Sequence, residues 1–524
     1  VNAMTIRSGL LAAILAALLS GAGLAQPAAS PPPPAAPEQG GSPARRTSPD
    51  RPGAERPTTQ SVPSLPPDAV TRHSVELADR TIRFVATAGG IELADRRATS
   101  RTDIAYIDYR ILEANRASRP VTFVVNGGPG ASSAWLQLGA LGPWRIAMVD
   151  AAAAPSAPAP LLPNAETWLD FTDLVFIDPV GTGYSGFLQG DGEARRRIWS
   201  VEGDDQSLAE FIRRWVEKNG RAASPKYLVG ESYGGFRGPR LARVLQREHG
   251  IAVSGLVLVS PVLDFGGRSA IFDPLALAAR LPTIAAIGRA SSGLVSRTEL
   301  EEVERYATSE YLIDLVRGVR DPETIARMSR RVAALTGLDP AWVQRHQARL
   351  GIGETLRQLG APTGSVVSAY DGTVTGPDPF PSSPRQAVPD PVLDALIAPL
   401  SRAMLGLYDE KLNWRPEERR YEVLNRATSR EWDWGRGNNV PEAVSSLRLA
   451  LAQDGRLRVV IAHGLYDLVT PYFASQLILD QIPSRVGGDR VRLAAYPGGH
   501  MFYGIDGSRS ALRDAGRAMI EMVN

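Results

Sequence analysis

The sequence predicts an α/β architecture: a buried, mostly parallel sheet whose functional residues sit on the turns that follow its strands. Two observations predict it. Short continuous apolar runs recur, each ending in turn-forming or polar residues. Val121-Thr122-Phe123-Val124-Val125 runs into Asn126-Gly127-Gly128-Pro129-Gly130, and Leu174-Val175-Phe176-Ile177 into Asp178-Pro179. Tyr227-Leu228-Val229 runs into Gly230, and Leu256-Val257-Leu258-Val259 into Ser260-Pro261. Arg458-Val459-Val460-Ile461-Ala462 runs into His463-Gly464, and Val491-Arg492-Leu493-Ala494-Ala495 into Tyr496-Pro497. Stretches of helical periodicity lie between them. Strands that are apolar on both faces must be covered on both, the condition of a parallel sheet between helices. Ligands of such sheets bind beyond the carboxyl ends of the strands.

The elements follow in chain order. Arg7 precedes an apolar run over 10–19, and small residues lead to Gly23-Leu24-Ala25. A basic start, a short apolar core and a small-x-small site predict a secretory signal peptide over 1–25. The run is shorter than the ~20 residues of a membrane span, so no membrane anchor is expected after cleavage. The protein is therefore expected to be exported, to a periplasm or outside the cell. Residues 26–67, rich in Pro, Ala, Ser and Gly, predict a disordered linker without the apolar density that offsets ordering entropy. Between 70 and 109 the alternation of apolar and polar residues predicts antiparallel strands. Residues 68–263 are thus the first part of the sheet domain. Residues 264–455 predict a largely helical cap insertion, with helical periodicity over 298–316, 323–335 and 341–350 and a loop over 371–389. Residues 456–524 return to the sheet.

Composition narrows the function. The 524 residues are 44% hydrophobic and 22% charged, with a net charge of +2, so a large core is affordable and no nucleic-acid partner is expected. With no cysteine, the chain has no disulfide framework, cysteine nucleophile or thiolate zinc site. No metal or cofactor motif is present, and neither is expected.

Gly230-Glu231-Ser232-Tyr233-Gly234 fits G-x-S-x-G, with a strand before it and a helix predicted over 236–248. Strand, sharp turn and helix make the nucleophile elbow of the α/β-hydrolase fold. A serine nucleophile needs a base, and there are five histidines: His73, His249, His346, His463 and His500. The fold's order is Ser, then Asp or Glu, then His. His73 precedes the serine, His249 ends the helix away from the elbow, and His346 lies in the insertion. Asp467 followed by His500, on the last two strand-end turns, restores that order. Ser232 is therefore the expected nucleophile, His500 the general base and acid, and Asp467 the residue that orients the imidazole. His463 is the alternative base. The N–H of Tyr233 and the Gly-rich turn at 126–130 are placed to stabilise an oxyanion.

Together these residues resemble the serine carboxypeptidase family. Asn126-Gly127-Gly128-Pro129-Gly130-Ala131-Ser132-Ser133 resembles its N-G-G-P-G-C-S-S, and Asp178-Pro179-Val180-Gly181-Thr182-Gly183-Tyr184-Ser185 its D-Q-P-x-G-T-G-F-S. Gly230-Glu231-Ser232-Tyr233-Gly234-Gly235 resembles G-E-S-Y-A-G, and the resemblance covers roughly 70–262 and 456–505. It implies Ser232, Asp467 and His500 as triad, Gly128 and Tyr233 as oxyanion donors, and Asn126 with Glu231 as the pair that binds a substrate's terminal carboxylate. Two carboxylates share a proton at acid pH, so such binding favours acid. The implied substrates are peptides with a free C-terminus. The chain departs from the pattern at Ala131, at Ser260-Pro261, and at Met501-Phe502-Tyr503, where the family has valine and proline after the histidine. An esterase or acyltransferase using the same triad is the alternative activity, and an inert binding module on this fold a third reading.

Overall fold

A computed structural model describes residues 63–523 apart from 95–99, 113, 116, 191, 267–272, 384–387 and 436–439. The expected signal peptide and most of the expected linker lie outside the described residues. At 63–67 the chain already packs on the fold: Arg419 donates to the carbonyl of Pro63, Trp414 Nε1 donates to that of Pro67 at 3.0 Å, and Leu65 lies over Gly90.

The described residues form a ten-stranded sheet. Its strands are β1 (Ala69–Glu76), β2 (Thr81–Ala94), β3 (Arg101–Ile111), β4 (Val121–Val125), β5 (Asp173–Ile177), β6 (Gly186–Gln189), β7 (Lys226–Glu231), β8 (Gly255–Val259), β9 (Arg458–Gly464) and β10 (Val491–Tyr496). The order is β1-β2-β3-β5-β4-β7-β8-β9-β10, with β6 beside β3. Pairing is antiparallel from β1 to β5 through β2 and β3, and parallel from β5 to β10. Strands β4, β5, β7 and β8 are buried at every residue, as continuous apolar runs between two helical layers must be. With its G-x-S-x-G turn after β7, this is the α/β-hydrolase fold.

Each face of the sheet has its own core. One is built on Tyr109, Trp168, Phe176 and Met519, under the C-terminal helix Asp506–Val523. The other is built on Phe211, Trp215, Leu241 and Leu451. Its helices are α1 (Val201–Lys218), α2 (Tyr233–His249) and a helix at Val444–Gln453. Ser200 caps α1 by accepting from Gly203 N at 3.0 Å, and Gly250 closes α2 in the left-handed conformation.

The stretch 264–455 divides in the structure. Helices from Pro274–Arg289 to Ile352–Gly360 gather around Ile284, Tyr311, Val332 and Trp342 as a separate cluster. Its later helices instead pack on the sheet domain, Leu400 and Met404 on one face and Leu447 and Leu451 on the other. Apolar residues of these helices complete cores that α1, α2 and the C-terminal helix leave open. Three local expectations change. The helical stretch expected over 298–316 is broken at Ser309 (φ −119°, ψ −104°) into the helices Glu301–Thr308 and Glu310–Arg317. The helix expected over 341–350 is Pro340–Arg345, because Gln347 and Ala348 adopt positive φ (53° and 55°). The loop expected over 371–389 contains one strand of a hairpin, Ser365–Val367 paired with Thr375–Pro377.

Candidate active site

Strand β7 ends at Glu231, and Ser232 follows with φ 59° and ψ −119°. A non-glycine residue at positive φ is strained, and here the strain lifts Ser232 out of the turn. The turn closes because its neighbours lack side chains: a Cβ on Gly230 would stand 2.0 Å from the Gly234 carbonyl oxygen, and one on Gly234 2.5 Å from that of Val125. Helix α2 begins at Tyr233, three residues earlier than its apolar spacing predicts. As the first residue of α2, Tyr233 has an N–H without an intrahelical acceptor, at the positive end of the helix dipole.

His500 and Asp467 meet behind the serine. Nδ1 of His500 bonds Asp467 Oδ2 at 2.7 Å, with His500 3% and Asp467 0% exposed. Asp467 also accepts from Val469 N (2.8 Å), Thr470 N (3.0 Å) and Thr470 Oγ1 (2.5 Å). Burial would raise its carboxyl, but the charge of His500 and these donors hold it below the usual aspartate range. The backbone of His500 is fixed as well. Its N–H donates to Tyr370 O at 2.5 Å, and its carbonyl accepts from Ser260 Oγ at 2.8 Å. The Tyr370 ring stands perpendicular to the imidazole, with the ring centres 5.3 Å apart.

The other histidines stand elsewhere. His463 is fully buried, its Nε2 bonds Ser475 Oγ at 2.9 Å, and desolvation pushes its imidazole down to about 4. His346 lies against Trp342 and bonds its carbonyl at 2.9 Å. His73 lies edge-on to Trp144, and His249 ends α2 at the opposite edge of the sheet. A depression of about 790 Å³ there is lined by Arg213, Lys226, His249 and Arg456. It lies at the amino ends of β7, β8 and β9, away from the elbow.

The turn after β4 presses on the elbow. A Cβ on Gly127 would lie 2.5 Å from Tyr233 N and 2.6 Å from Glu231 O, so only glycine brings the two segments together. Gly128 follows at φ 99°. Asp178 holds the far end of this turn, accepting from Ser133 N at 2.8 Å and Ser133 Oγ at 2.9 Å.

Asn126 and Glu231, from neighbouring strand ends, are bonded to one another: Asn126 Nδ2 donates to Glu231 Oε2 at 2.7 Å. Asn126 Oδ1 accepts from Leu136 N at 3.2 Å, which fixes the amide's orientation. Tyr503 OH donates to the same Oε2 at 2.8 Å. Glu231 is 3% exposed, and desolvation pushes its carboxyl up to about 7 against the lowering effects of His500, Tyr503 and Asn126.

Asn126, Gly128, Glu231, Ser232, Tyr233 and His500 all line one cavity of about 370 Å³. Asp467 stands behind His500. The walls are mostly apolar, with Trp135, Val262 and Leu263 from the sheet domain and Phe265, Leu275, Ile352 and Tyr370 from the insertion. No group of acidic, histidine or cysteine side chains suited to a metal ion occurs among the described residues.

The serine carboxypeptidase family model matches residues 106–312, from within β3 through the 126–130 turn and the elbow into the insertion. The chain resembles the serine carboxypeptidases. A pheromone-processing carboxypeptidase KEX1 of Yarrowia lipolytica (strain CLIB 122 / E 150) is 32% identical over 180 residues, 32% of this chain and 25% of that one. Serine carboxypeptidase-like 45 of Arabidopsis thaliana is 29% identical over 167 residues, 29% of this chain and 32% of that one. The chain thus spans between a quarter and a third of the length of these relatives. Among solved structures, VinJ matches 83% of this chain and 99% of its own at 14% identity and a TM-score of 0.35.

Several supporting residues of the site carry no motif in the sequence. Tyr503, three residues past His500, reaches Glu231. Ser260, with φ 43°, donates to the carbonyl of His500. Thr470 and Tyr370 brace Asp467 and His500. Arg237 donates to the carbonyl of Asn126. A buried polar residue directly after a predicted strand end was the one available signal, and Ser260, which follows Val259, carried it.

Proposed function

We propose that the protein is a serine-type carboxypeptidase that removes the last residue of peptides through an acyl-enzyme on Ser232. The observation that carries the reading is the bonded Asn126–Glu231 pair, which shares one cavity with Ser232 and His500. A catalytic serine serves many reactions, but a neutral carboxyl paired with an amide selects a substrate that ends in a carboxylate.

The chemistry runs in two steps. Asn126 and protonated Glu231 hold the terminal carboxylate. His500 Nε2 accepts the Ser232 proton as Oγ attacks the carbonyl carbon of the last peptide bond. The oxyanion meets the N–H groups of Gly128 and Tyr233. The C–N bond breaks as His500 returns the proton to the leaving amine, freeing the terminal amino acid. Water, deprotonated by His500, then attacks the ester and releases the shortened peptide and Ser232. Asp467 keeps the imidazole in the required tautomer throughout. Export is part of the proposal and rests on the basic, apolar and small-x-small pattern of residues 1–25. No described helix is long and apolar enough to cross a membrane.

The test compares an N-blocked dipeptide with its C-terminal amide between about pH 4 and 8, which brackets the reference values of Glu and His. Faster release from the free acid, greatest at acid pH, is expected. Equal rates on both substrates would leave an esterase or acyltransferase and remove the carboxylate role.

A further inference from the structure

Tyr503 lies outside the proposed chemistry, yet it is fully buried and aimed at Glu231. Two donors, Asn126 Nδ2 at 2.7 Å and Tyr503 OH at 2.8 Å, reach the same oxygen, Oε2. A carboxylate oxygen that receives two strong donors has its lone pairs engaged. Among the described residues, no hydrogen bond is made to Oε1 of Glu231, and Glu231 lines the cavity. We propose that Tyr503 is a positioning residue: with Asn126 it occupies Oε2 of Glu231, so that the proton of the neutral acid resides on Oε1 and is presented to the substrate's terminal carboxylate. The proposal rests on the carboxypeptidase reading and adds to it the oxygen that carries the proton and the group that selects it.

The fold fixes Tyr503 for this task. It sits in the short turn Phe502–Gly504, three residues past His500, and its carbonyl accepts from Arg509 Nη1 at 3.2 Å. Its ring fits against Gly139, where a Cβ would meet Tyr503 Cε2 at 2.5 Å and Met148 Sδ at 2.6 Å. Burial and the neighbouring Glu231 push its hydroxyl well up from its ordinary value, so it stays a donor across the working pH range. The other groups facing Glu231 are His500 and Asp467 from the last two strand-end turns, and Asn126, whose carbonyl is held by Arg237. Of these, the direct donors to Glu231 are Asn126 and Tyr503.

The test is Tyr503→Phe, which keeps the ring and deletes the donor. KM for the free-acid dipeptide is expected to rise about tenfold at acid pH with kcat unchanged, the scale of one hydrogen bond to a charged partner. The midpoint of the KM–pH curve is expected to move upward by about one unit, because the lost donor favoured the carboxylate form. The amide substrate is expected to show neither effect. Gly139→Ala, which crowds the ring, is expected to act in the same direction, and in a Glu231→Gln background Tyr503→Phe is expected to leave the pH profile flat. Labelling of Ser232 by an organophosphonate at the wild-type rate reports an intact site. An unchanged KM and midpoint in a normally labelled Tyr503→Phe protein overturns the Tyr503 role and leaves the carboxypeptidase reading standing. A wild-type protein indifferent to the free carboxylate overturns both.

Discussion

Arg237 ties the elbow helix to the turn that bears Asn126. Its guanidinium pairs with Asp204 at 2.6 Å, donates to the carbonyl of Asn126, and lies 4.7 Å from the centre of the Tyr233 ring. Both charged side chains are almost wholly enclosed, at 1% and 5% exposure. The pair thus links α1, α2 and the 126–130 turn beneath the cavity. Asp204→Ala strands the buried guanidinium and is expected to cost about 3–5 kcal/mol in urea unfolding. An apolar double replacement of Asp204 and Arg237 is expected to recover much of that loss while turnover stays low. Unfolding of Asp204→Ala at the wild-type urea midpoint would refute this account.

The two histidines near Asp467 separate cleanly by mutation. His500→Ala is expected to lower kcat by about 10⁴–10⁶-fold, as loss of a triad base does. His463→Gln is expected to stay within about tenfold of wild type, because His463 is bonded to Ser475 rather than to the acid. Single-turnover acylation rates of both variants decide the assignment. A reversed ranking would make His463 the base.

Gly127 carries a prediction of its own, since a Cβ there would press on the elbow at Tyr233 N. Gly127→Ala is expected to force the turn away from Tyr233 N and to lower kcat by about 10²–10³-fold, the value of one oxyanion donor. Binding of the free-acid product, read by competition, is expected to change far less than kcat.

Glu231 gives the pH dependence. Its carboxyl is raised from 4.5 to about 7, so the neutral form persists to about 7 while the substrate carboxylate, with a reference value near ~3.5, is already ionised at about pH 4. Binding is therefore strongest between those limits, and KM is expected to rise up to about tenfold per unit above the upper one. Glu231→Gln removes that rise. The same shift has a stability consequence. Between 4.5 and about 7 the folded state holds a proton that the unfolded state has released, so stability falls as pH rises through that window. Thermal unfolding of wild type and Glu231→Gln across the window measures the difference.

How much of this could be read from the residues depended on range. The strand-end turns were legible because a continuous apolar run followed by Gly, Asp, Ser or His signals a buried strand and its exposed end. Ser232, Glu231 and Asn126 were placed on such ends. The start of α2 was not, because Gly234 and Gly235 are poor helix formers, and contact with the Gly127 turn overrides that preference. The insertion's division was hidden for a related reason: Leu447 and Leu451 read as cap helix until the core that accepts them is known. Tyr503, Tyr370 and Arg237 were out of reach because each acts on a residue more than 100 positions away, through contacts that leave no local pattern.

The contact between Tyr370 and His500 bears on how such a protein can diversify. The chain segment that covers the cavity also supplies the carbonyl that receives the His500 N–H and the ring that packs perpendicular to the imidazole. On the proposed reading, recognition of the substrate and placement of the base are therefore written in the same stretch of sequence. A graft that exchanged the whole insertion for another would carry the base's support away with the old specificity. Variation that spares Tyr370 and its hairpin, and alters only the helices at Pro274–Arg289 and Ile352–Gly360, is the route by which new preferences can arise on a working centre.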